Sequence, residues 1–262
     1  MPINLAEIKA SRVILPPRIV LYGPPKIGKT TFAADIEGAI ILDIEGGSGA
    51  LNVARIAKDK LASYGDVIGS VEALYTQDHP FSTVIIDSAD WLEALIFQQV
   101  AAEAGKKSIE DIGYGAGYVA AVNLWKQLFD GLTALRNDKG MAVVLIAHDQ
   151  VKRYDNPLTD SYDRHQLKLH AKSAAILTEW SDCLLFANQD VYIDAKDVGF
   201  KKKVTKGRAG DRVLHTVESP AFMAGNRYGL PAELPFSWGA FNEAMAAALS
   251  EPPASEASAE AA

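Results

Sequence analysis

A single cysteine, Cys183, stands in the 262 residues, which excludes an internal disulfide framework and a cysteine-built zinc site. No apolar run approaches the roughly 18 residues that a membrane-spanning helix requires. The N-terminal stretch MPINLAEIKASRVILPP lacks the apolar core of a secretory signal, so the expectation is a cytoplasmic protein with no membrane partner. Basic residues are in deficit, 26 against 33 acidic, and the net charge of −7 argues against coating nucleic acid by bulk charge. The deficit is uneven. Lys196–Arg212 carries seven bases against Asp197 and Asp211, whereas the tail from Glu251 has three glutamates and no base. What is plentiful is apolar side chain, 48%, enough for a sizeable core in a chain of this length.

Short apolar runs alternate with helical patterns. Ile19–Tyr22, Ala39–Asp43, Thr83–Asp87, Ala142–Ala147 and Cys183–Ala187 read as buried strands. Thr30–Glu37, Leu51–Tyr64, Ala89–Ala104, Tyr118–Asn137, Ala171–Trp180 and Phe241–Leu249 read as helices. Lys106–Gly117 is a glycine-containing loop, and Asp149–His170 is polar and irregular, with a turn at Asn156–Pro157. Val191–Val217 alternates β-prone runs with Gly and Asp, as hairpins do. The fold class expected is α/β: a mainly parallel central sheet flanked by helices, extended on its C-terminal side by antiparallel hairpins. The domain reading is an N-terminal segment over 1–17 as a candidate oligomerisation element, a main α/β domain over 18–249, and a disordered acidic tail over 250–262.

Gly23-Pro24-Pro25-Lys26-Ile27-Gly28-Lys29-Thr30 fits G-x-x-x-x-G-K-[ST] at every fixed position, with a strand before it and a helix after it. Such a loop wraps a phosphate with backbone N–H groups, and residues 23 to 31, Thr31 included, form the candidate nucleotide site. Lys29 reaches the β- and γ-phosphates, and Thr30 can ligate Mg²⁺. Asp87, at the tip of its strand, is the second Mg²⁺ candidate; a turn or helix-cap aspartate is the plain alternative. Glu45, just past the second strand, can orient or deprotonate the attacking water, or be a solvated loop glutamate. His148 ends the Ala142–Ala147 strand, where it can sense the γ-phosphate or simply cap. His165 and His170 have no converging partners in the sequence and read as solvated loop histidines. No N-K-x-D pattern occurs at Asn137-Asp138-Lys139, which favours ATP over GTP.

Taken in order, these marks resemble a family. Asp43-Ile44-Glu45 is similar to the D-A-E of RecA proteins. GPPKIGKTTFA (Gly23–Ala33), VIIDS (Val84–Ser88), GYGAGY (Gly113–Tyr118), LIAH (Leu145–His148) and NRYGLP (Asn226–Pro231) resemble phage RecA-like ATPases of the Sak single-strand annealing type. The resemblance covers about residues 18 to 235. It implies a RecA-like P-loop NTPase fold, ATP and Mg²⁺ as cofactors, and Glu45 activating water. It implies self-association into a ring or filament with ATP between subunits, phage origin with action in the bacterial host, and a single-strand-binding protein as a further partner. It also implies that two loops hold single-stranded DNA. In the first, Lys106, Lys107, Tyr114 and Tyr118 lie among glycines; in the second are Lys152, Arg153, Tyr154, Arg164 and Lys168. Bases can contact phosphates and aromatics can stack on nucleobases without reading sequence. Gly225-Asn226-Arg227 resembles the K-N-K stretch that reaches a neighbour's ATP, with Gly225 in place of the first lysine, leaving Arg227 as the candidate finger. The cluster Lys201–Arg208 suits DNA phosphates or a solvated hairpin equally.

The function these features suggest is a DNA-stimulated ATPase that assembles on single-stranded DNA and promotes annealing or strand exchange. A KaiC-like ATPase switch and a replicative-helicase loader or accessory protein are the alternatives. A small-molecule phosphotransferase fits less well, because the segment after His148 holds two arginines and no evident lid.

Overall fold

A computed structural model describes residues 13–197 and 203–250. Residues 1–12 of the N-terminal segment, residues 251–262 of the acidic tail, and Lys201 and Lys202 of the basic cluster therefore lie outside the described residues, as do the side chains of 193–207.

The chain begins with β1 (Arg18–Gly23), α1 (Lys29–Ala34), β2 (Ala39–Asp43) and β3 (Ala54–Ile56). Next come α2 (Tyr64–Thr76), β4 (Thr83–Asp87), α3 (Ala89–Glu103), α4 (Ala116–Lys139) and β5 (Ala142–Tyr154). The remainder comprises β6 (Tyr162–Leu167), α5 (Ala171–Trp180), β7 (Cys183–Asp197), β8 (Lys203–His215), β9 (Gly225–Asn226), β10 (Glu233–Pro235) and α6 (Trp238–Ser250). The strands form one sheet in the order β10-β8-β7-β1-β5-β4-β2-β3. The six from β7 to β3 in that order run parallel; β8, β9 and β10 are antiparallel additions, and β6 pairs antiparallel with β5. This is the α/β architecture expected, a mostly parallel sheet flanked by helices with antiparallel strands on the C-terminal side.

Both faces of the sheet are covered, so the central strands are apolar on both sides. Val20, Tyr22, Leu42, Ile86 and Leu145 face one core with Val67 of α2, Leu92 of α3, Trp125 of α4 and Leu177 of α5. The alternate residues Ile19, Leu21, Ile41, Ile85 and Ile146 face the other, with Phe32 of α1 and Phe241 of α6. Phe32 also stacks on Phe236 at 5.1 Å, which ties the end of the chain to α1.

Three local readings are corrected. Leu51–Tyr64 is not a helix: it holds the short edge strand β3, and α2 starts only at Tyr64. The cause is the capping box of Ser63 and Asp66, in which each side chain accepts the other's backbone N–H. Asp149–His170 is not irregular. β5 continues past the core to Tyr154 and turns back as β6, with Asp149 opposite Leu167 and Tyr154 opposite Tyr162. Beyond the core Val151, Lys152 and Arg153 are exposed in succession, so the apolar/polar alternation that marks a strand is missing. Finally, the described residues of Val191–Val217 carry one antiparallel pairing, β7 with β8 over 191–197 and 203–215, rather than several hairpins.

Among the described residues no helix is long and apolar enough to cross a membrane. Replacing Ser63 by Ala removes one cap acceptor and should lower stability by about 1 kcal/mol. In a urea titration this appears as a lower midpoint at unchanged slope, with ATP affinity unaltered.

Candidate functional site

The chemistry-bearing residues sit where the parallel strands end. Gly23 closes β1 directly beside His148 of β5, and Asp43 closes β2 beside Asp87 of β4. A cleft of about 320 Å³ opens there, lined among others by Lys26, Lys29, Thr30, Glu45, Asp87 and His148.

The phosphate loop is sterically determined at both glycines. A Cβ on Gly23 would lie 2.2 Å from the Ala187 carbonyl oxygen. Gly28 has φ +108°, and a Cβ there would lie 2.8 Å from Arg212 Nη1. Arg212 also donates to the Ile27 carbonyl at 3.0 Å, so a base from β8 braces the loop from outside. Pro24 and Pro25 stiffen the turn, and Thr31 follows Thr30 in the first turn of α1. Lys29 is 5% exposed, and its ammonium donates to the carbonyls of Gly23 at 2.8 Å and Pro24 at 2.9 Å. Burial holds it below the usual lysine range, opposed by the nearby Asp87 carboxylate.

Thr30 donates its hydroxyl to Asp87 Oδ2 at 2.8 Å. Asp87 is 2% exposed, and burial, reinforced by the charges of Glu45 and Asp43, raises it to about 6 against the Thr30 hydrogen bond. A hydroxyl and a carboxylate converging beside a phosphate loop are the sparse protein oxygen set that Mg²⁺ takes when phosphates and waters complete its shell. A carboxylate crowded by like charges gains from a cation, so these residues fit the ion. Among the described residues no cluster of three or more His, Cys, Asp or Glu forms a metal cage.

Asp43 is a loop organiser. Its carboxylate accepts N–H bonds from Gly46 at 2.8 Å, Gly47 at 3.0 Å and Ser48 at 3.1 Å, and the Ser48 hydroxyl at 2.7 Å. The loop it fixes carries Glu45, whose N–H donates to the Asp87 carbonyl at 2.9 Å and whose side chain remains one-third exposed at the cleft. Glu45 Oε2 is 4.0 Å from His148 Nε2. The other ring nitrogen, Nδ1, lies 3.1 and 3.0 Å from the two carboxylate oxygens of Asp90. Burial would raise Asp90, but hydrogen bonding and charge from His148 outweigh it and hold the carboxyl below its usual range. Asp90 was not legible as a site residue: it occupies the first turn of α3, where acids are common.

The two candidate DNA segments are placed differently. Lys106, Lys107 and Tyr114 are exposed between α3 and α4. Tyr118 instead stacks on the His170 ring, 4.0 Å between centroids and 2° from parallel. Lys152 and Arg153 are exposed on β5 and Lys168 after β6, while Tyr154 is half-buried against Tyr162. Arg164 is turned inward. It is 6% exposed and is held by the Glu218 carboxylate and the Phe222 carbonyl, so it is not one of the exposed bases. The histidines of this region are half-buried and partnered: His165 Nδ1 is 2.6 Å from Asp149, and His170 Nδ1 accepts the Lys172 N–H at 3.3 Å.

Arg227 is not brought to the cleft. It lies 60% exposed beside Asp182 at 3.6 Å, next to the first residue of β7, at the opposite end of the parallel strands from Gly23.

The AAA domain family (AAA_24) matches residues 15–228. No curated protein matches the chain. Among solved structures, the crystal structure of the RadB recombinase is similar at a TM-score of 0.43 and 16% identity, over 77% of this chain and 81% of that one.

Asp87 binds its proton more tightly in the folded than in the unfolded chain, so its contribution to stability is present below about pH 4 and is lost as pH rises through about 6. In Mg²⁺-free buffer at pH 8, Asp87→Asn should therefore be more stable than the parent by up to the order of 3 kcal/mol, the gap closing toward pH 4. Thermal melts across that range check the sign; the same variant should lose ATP turnover.

Proposed function

The chain belongs to the AAA domain family, and from its cleft we propose that it binds ATP with Mg²⁺ and hydrolyses it as a RecA-like ATPase stimulated by single-stranded DNA. The observation that carries this reading is the convergence, in one cleft, of the phosphate loop, the Thr30–Asp87 pair, Glu45 and His148.

The phosphates rest on the backbone N–H groups of Lys26 to Thr31. Lys29, now satisfied by two carbonyls of the loop, exchanges them for β- and γ-phosphate oxygens at no cost in net hydrogen bonds. Thr30 and Asp87 would hold Mg²⁺, which would supply neutralising charge to the phosphates. Glu45 orients a water and takes its proton as the water oxygen bonds to the γ-phosphorus and the bond to the ADP oxygen breaks. His148, facing the same space through Nε2, contacts the γ-phosphate side of the cleft.

DNA contact is assigned to Lys106, Lys107, Tyr114, Lys152, Arg153, Tyr154 and Lys168, with Tyr118 packed behind them. The support is positional: the β5–β6 hairpin that carries Lys152 and Arg153 continues from His148 without a break. Arg227 is assigned to the cleft of a neighbouring subunit. A six-residue strand is about 17–20 Å long, so Arg227 cannot reach the cleft of its own subunit. Together these assignments describe a self-assembling protein that promotes annealing or strand exchange, as in phage-type recombination. An ATPase switch without DNA is the second reading. It is favoured by the exposed Asp155, Asp160 and Asp163 on the hairpin and by the net charge of −7.

ATPase rates with and without oligo-dT separate the two readings: stimulation supports the DNA assignment, and an unchanged rate supports the switch. Glu45→Gln should keep ATP binding and slow turnover by about 10²–10⁴-fold, the range of a general base; turnover within a few-fold of the parent removes Glu45 from that role. Replacing Lys152 and Arg153 together by Ala should flatten the log K against log salt slope for oligo-dT by about 1.4, about 0.7 per phosphate contact. Fluorescence anisotropy across a salt series measures it.

A further inference from the structure

The first turns of α3 carry two carboxylates that the mechanism above does not use, Glu93 buried and Asp90 partly so. Asp90 and Glu93 are three residues apart and so lie on one helix face. Asp90 accepts the backbone N–H of His148 at 3.2 Å as well as bonding its ring. Glu93, 7% exposed, accepts the backbone N–H of His170 with both oxygens, at 3.2 and 3.0 Å. His148 is the residue immediately before the β5–β6 hairpin leaves the core, and His170 is the residue from which α5 starts. Both ends of segment 149–169 therefore hang from one face of one helix, and that helix begins two residues after Asp87.

A carboxylate in this position has a cost. Burial, reinforced by the Asp90 charge, raises the Glu93 carboxyl above its usual range, and the Ser173 and His170 hydrogen bonds and the Lys152 charge oppose that. A neutral N-cap at residue 170 would satisfy α5 at less expense, and the His170 ring already serves as that cap by accepting the Lys172 N–H. What Glu93 adds is attachment of the hairpin's return end to α3. Anchored at both ends on a single helix face, the base of the hairpin follows that helix, while β6 is also held by segment 218–223 through Arg164 and His165. The same residue gathers the other candidate DNA segment, because Tyr118 stacks on the His170 ring.

We propose that Glu93 is a positioning residue that transmits the nucleotide state of the cleft to the β5–β6 hairpin through its hydrogen bond to the His170 N–H. This rests on the ATPase and DNA readings given above. Movement of Asp87 on Mg²⁺–ATP binding shifts the start of α3, and Asp90 and Glu93 carry both hairpin ends with it. The consequence is a hairpin whose DNA affinity depends on nucleotide.

The test measures affinity for fluorescein-labelled oligo-dT by anisotropy, with a non-hydrolysable ATP analogue and with ADP, alongside ATP turnover without DNA. The parent should bind at least about 10-fold more tightly with the ATP analogue, within the usual range of coupling between sites. Glu93→Ala should bring that ratio to within about two-fold of unity while turnover without DNA stays within two-fold of the parent. The same bond can be deleted from the other side. His170 has φ −60°, which proline adopts without strain, so His170→Pro removes the N–H, whereas His170→Ala removes the ring and keeps it. His170→Pro should collapse the ratio and His170→Ala should retain most of it. Because two variants delete one bond from opposite partners, instability of either leaves the other to decide. A Glu93→Ala protein that melts lower yet keeps the parent ratio is a helix-capping variant only, and overturns the proposal; so does identical behaviour of the two His170 variants. A parent ratio of unity fails earlier, at the DNA reading itself, and takes this inference with it.

Discussion

Everything at the cleft depends on parallel strands ending in register. Parallel pairing places Gly23 beside His148 and Asp43 beside Asp87, so β1, β2 and β4 release their last residues along the edge where β5 leaves the core. No long side chain is needed to bring the groups together; the backbone ladder sets their spacing. A one-residue slip in any of these pairs would turn its polar terminus into a core that is apolar on both faces, and that cost keeps the register unique. The two cores hold the ladder from either side, with Phe32 of α1 pinning the phosphate loop to the C-terminal end of the described chain.

Within that frame the electrostatics are deliberately unbalanced. Asp43, Glu45 and Asp87 crowd one end of the cleft, opposed by the buried ammonium of Lys29. Asp43 is compensated by three backbone N–H groups and a hydroxyl, which removes it from competition and leaves it a purely architectural charge. Asp87 has only the Thr30 hydroxyl and the Lys29 charge against its burial, and its carboxyl is raised accordingly. The site is thus poised to accept positive charge at one point and to keep Glu45 at the solvent boundary, where a water can be met.

What could be read from the amino acids follows physical lines. The phosphate loop was legible because sterics and spacing constrain it: Gly23 faces a carbonyl no side chain could approach, and Lys29 and Thr30 follow at fixed intervals. The apolar strands were legible because burial on both faces removes ambiguity. The β5–β6 hairpin was not, since beyond the core Lys152, Arg153 and Asp163 face water on either side. Arg164 looked like an exposed base because nothing near it in sequence announces Glu218, which arrives from 54 residues away. Asp90 and Glu93 were hidden for a related reason: acids early in a helix are ordinary, and only the fold shows them facing His148 and His170. The stretch from Leu51 misled through its apolar content, although Ser63 and Asp66 mark the true helix start.

The position of Arg227 has an arithmetic consequence. Under the proposed assignment of Arg227 to a neighbouring cleft, a subunit that offers an arginine at one end of its strands and takes one at the other would join its copies head to tail. In an open chain of such copies one terminal cleft always lacks its arginine, so the fraction of complete sites is one minus the reciprocal of the chain length. Turnover per subunit then climbs steeply from monomer to short oligomer and flattens thereafter. Closure into a ring would remove the incomplete terminus altogether and make turnover per subunit independent of further growth.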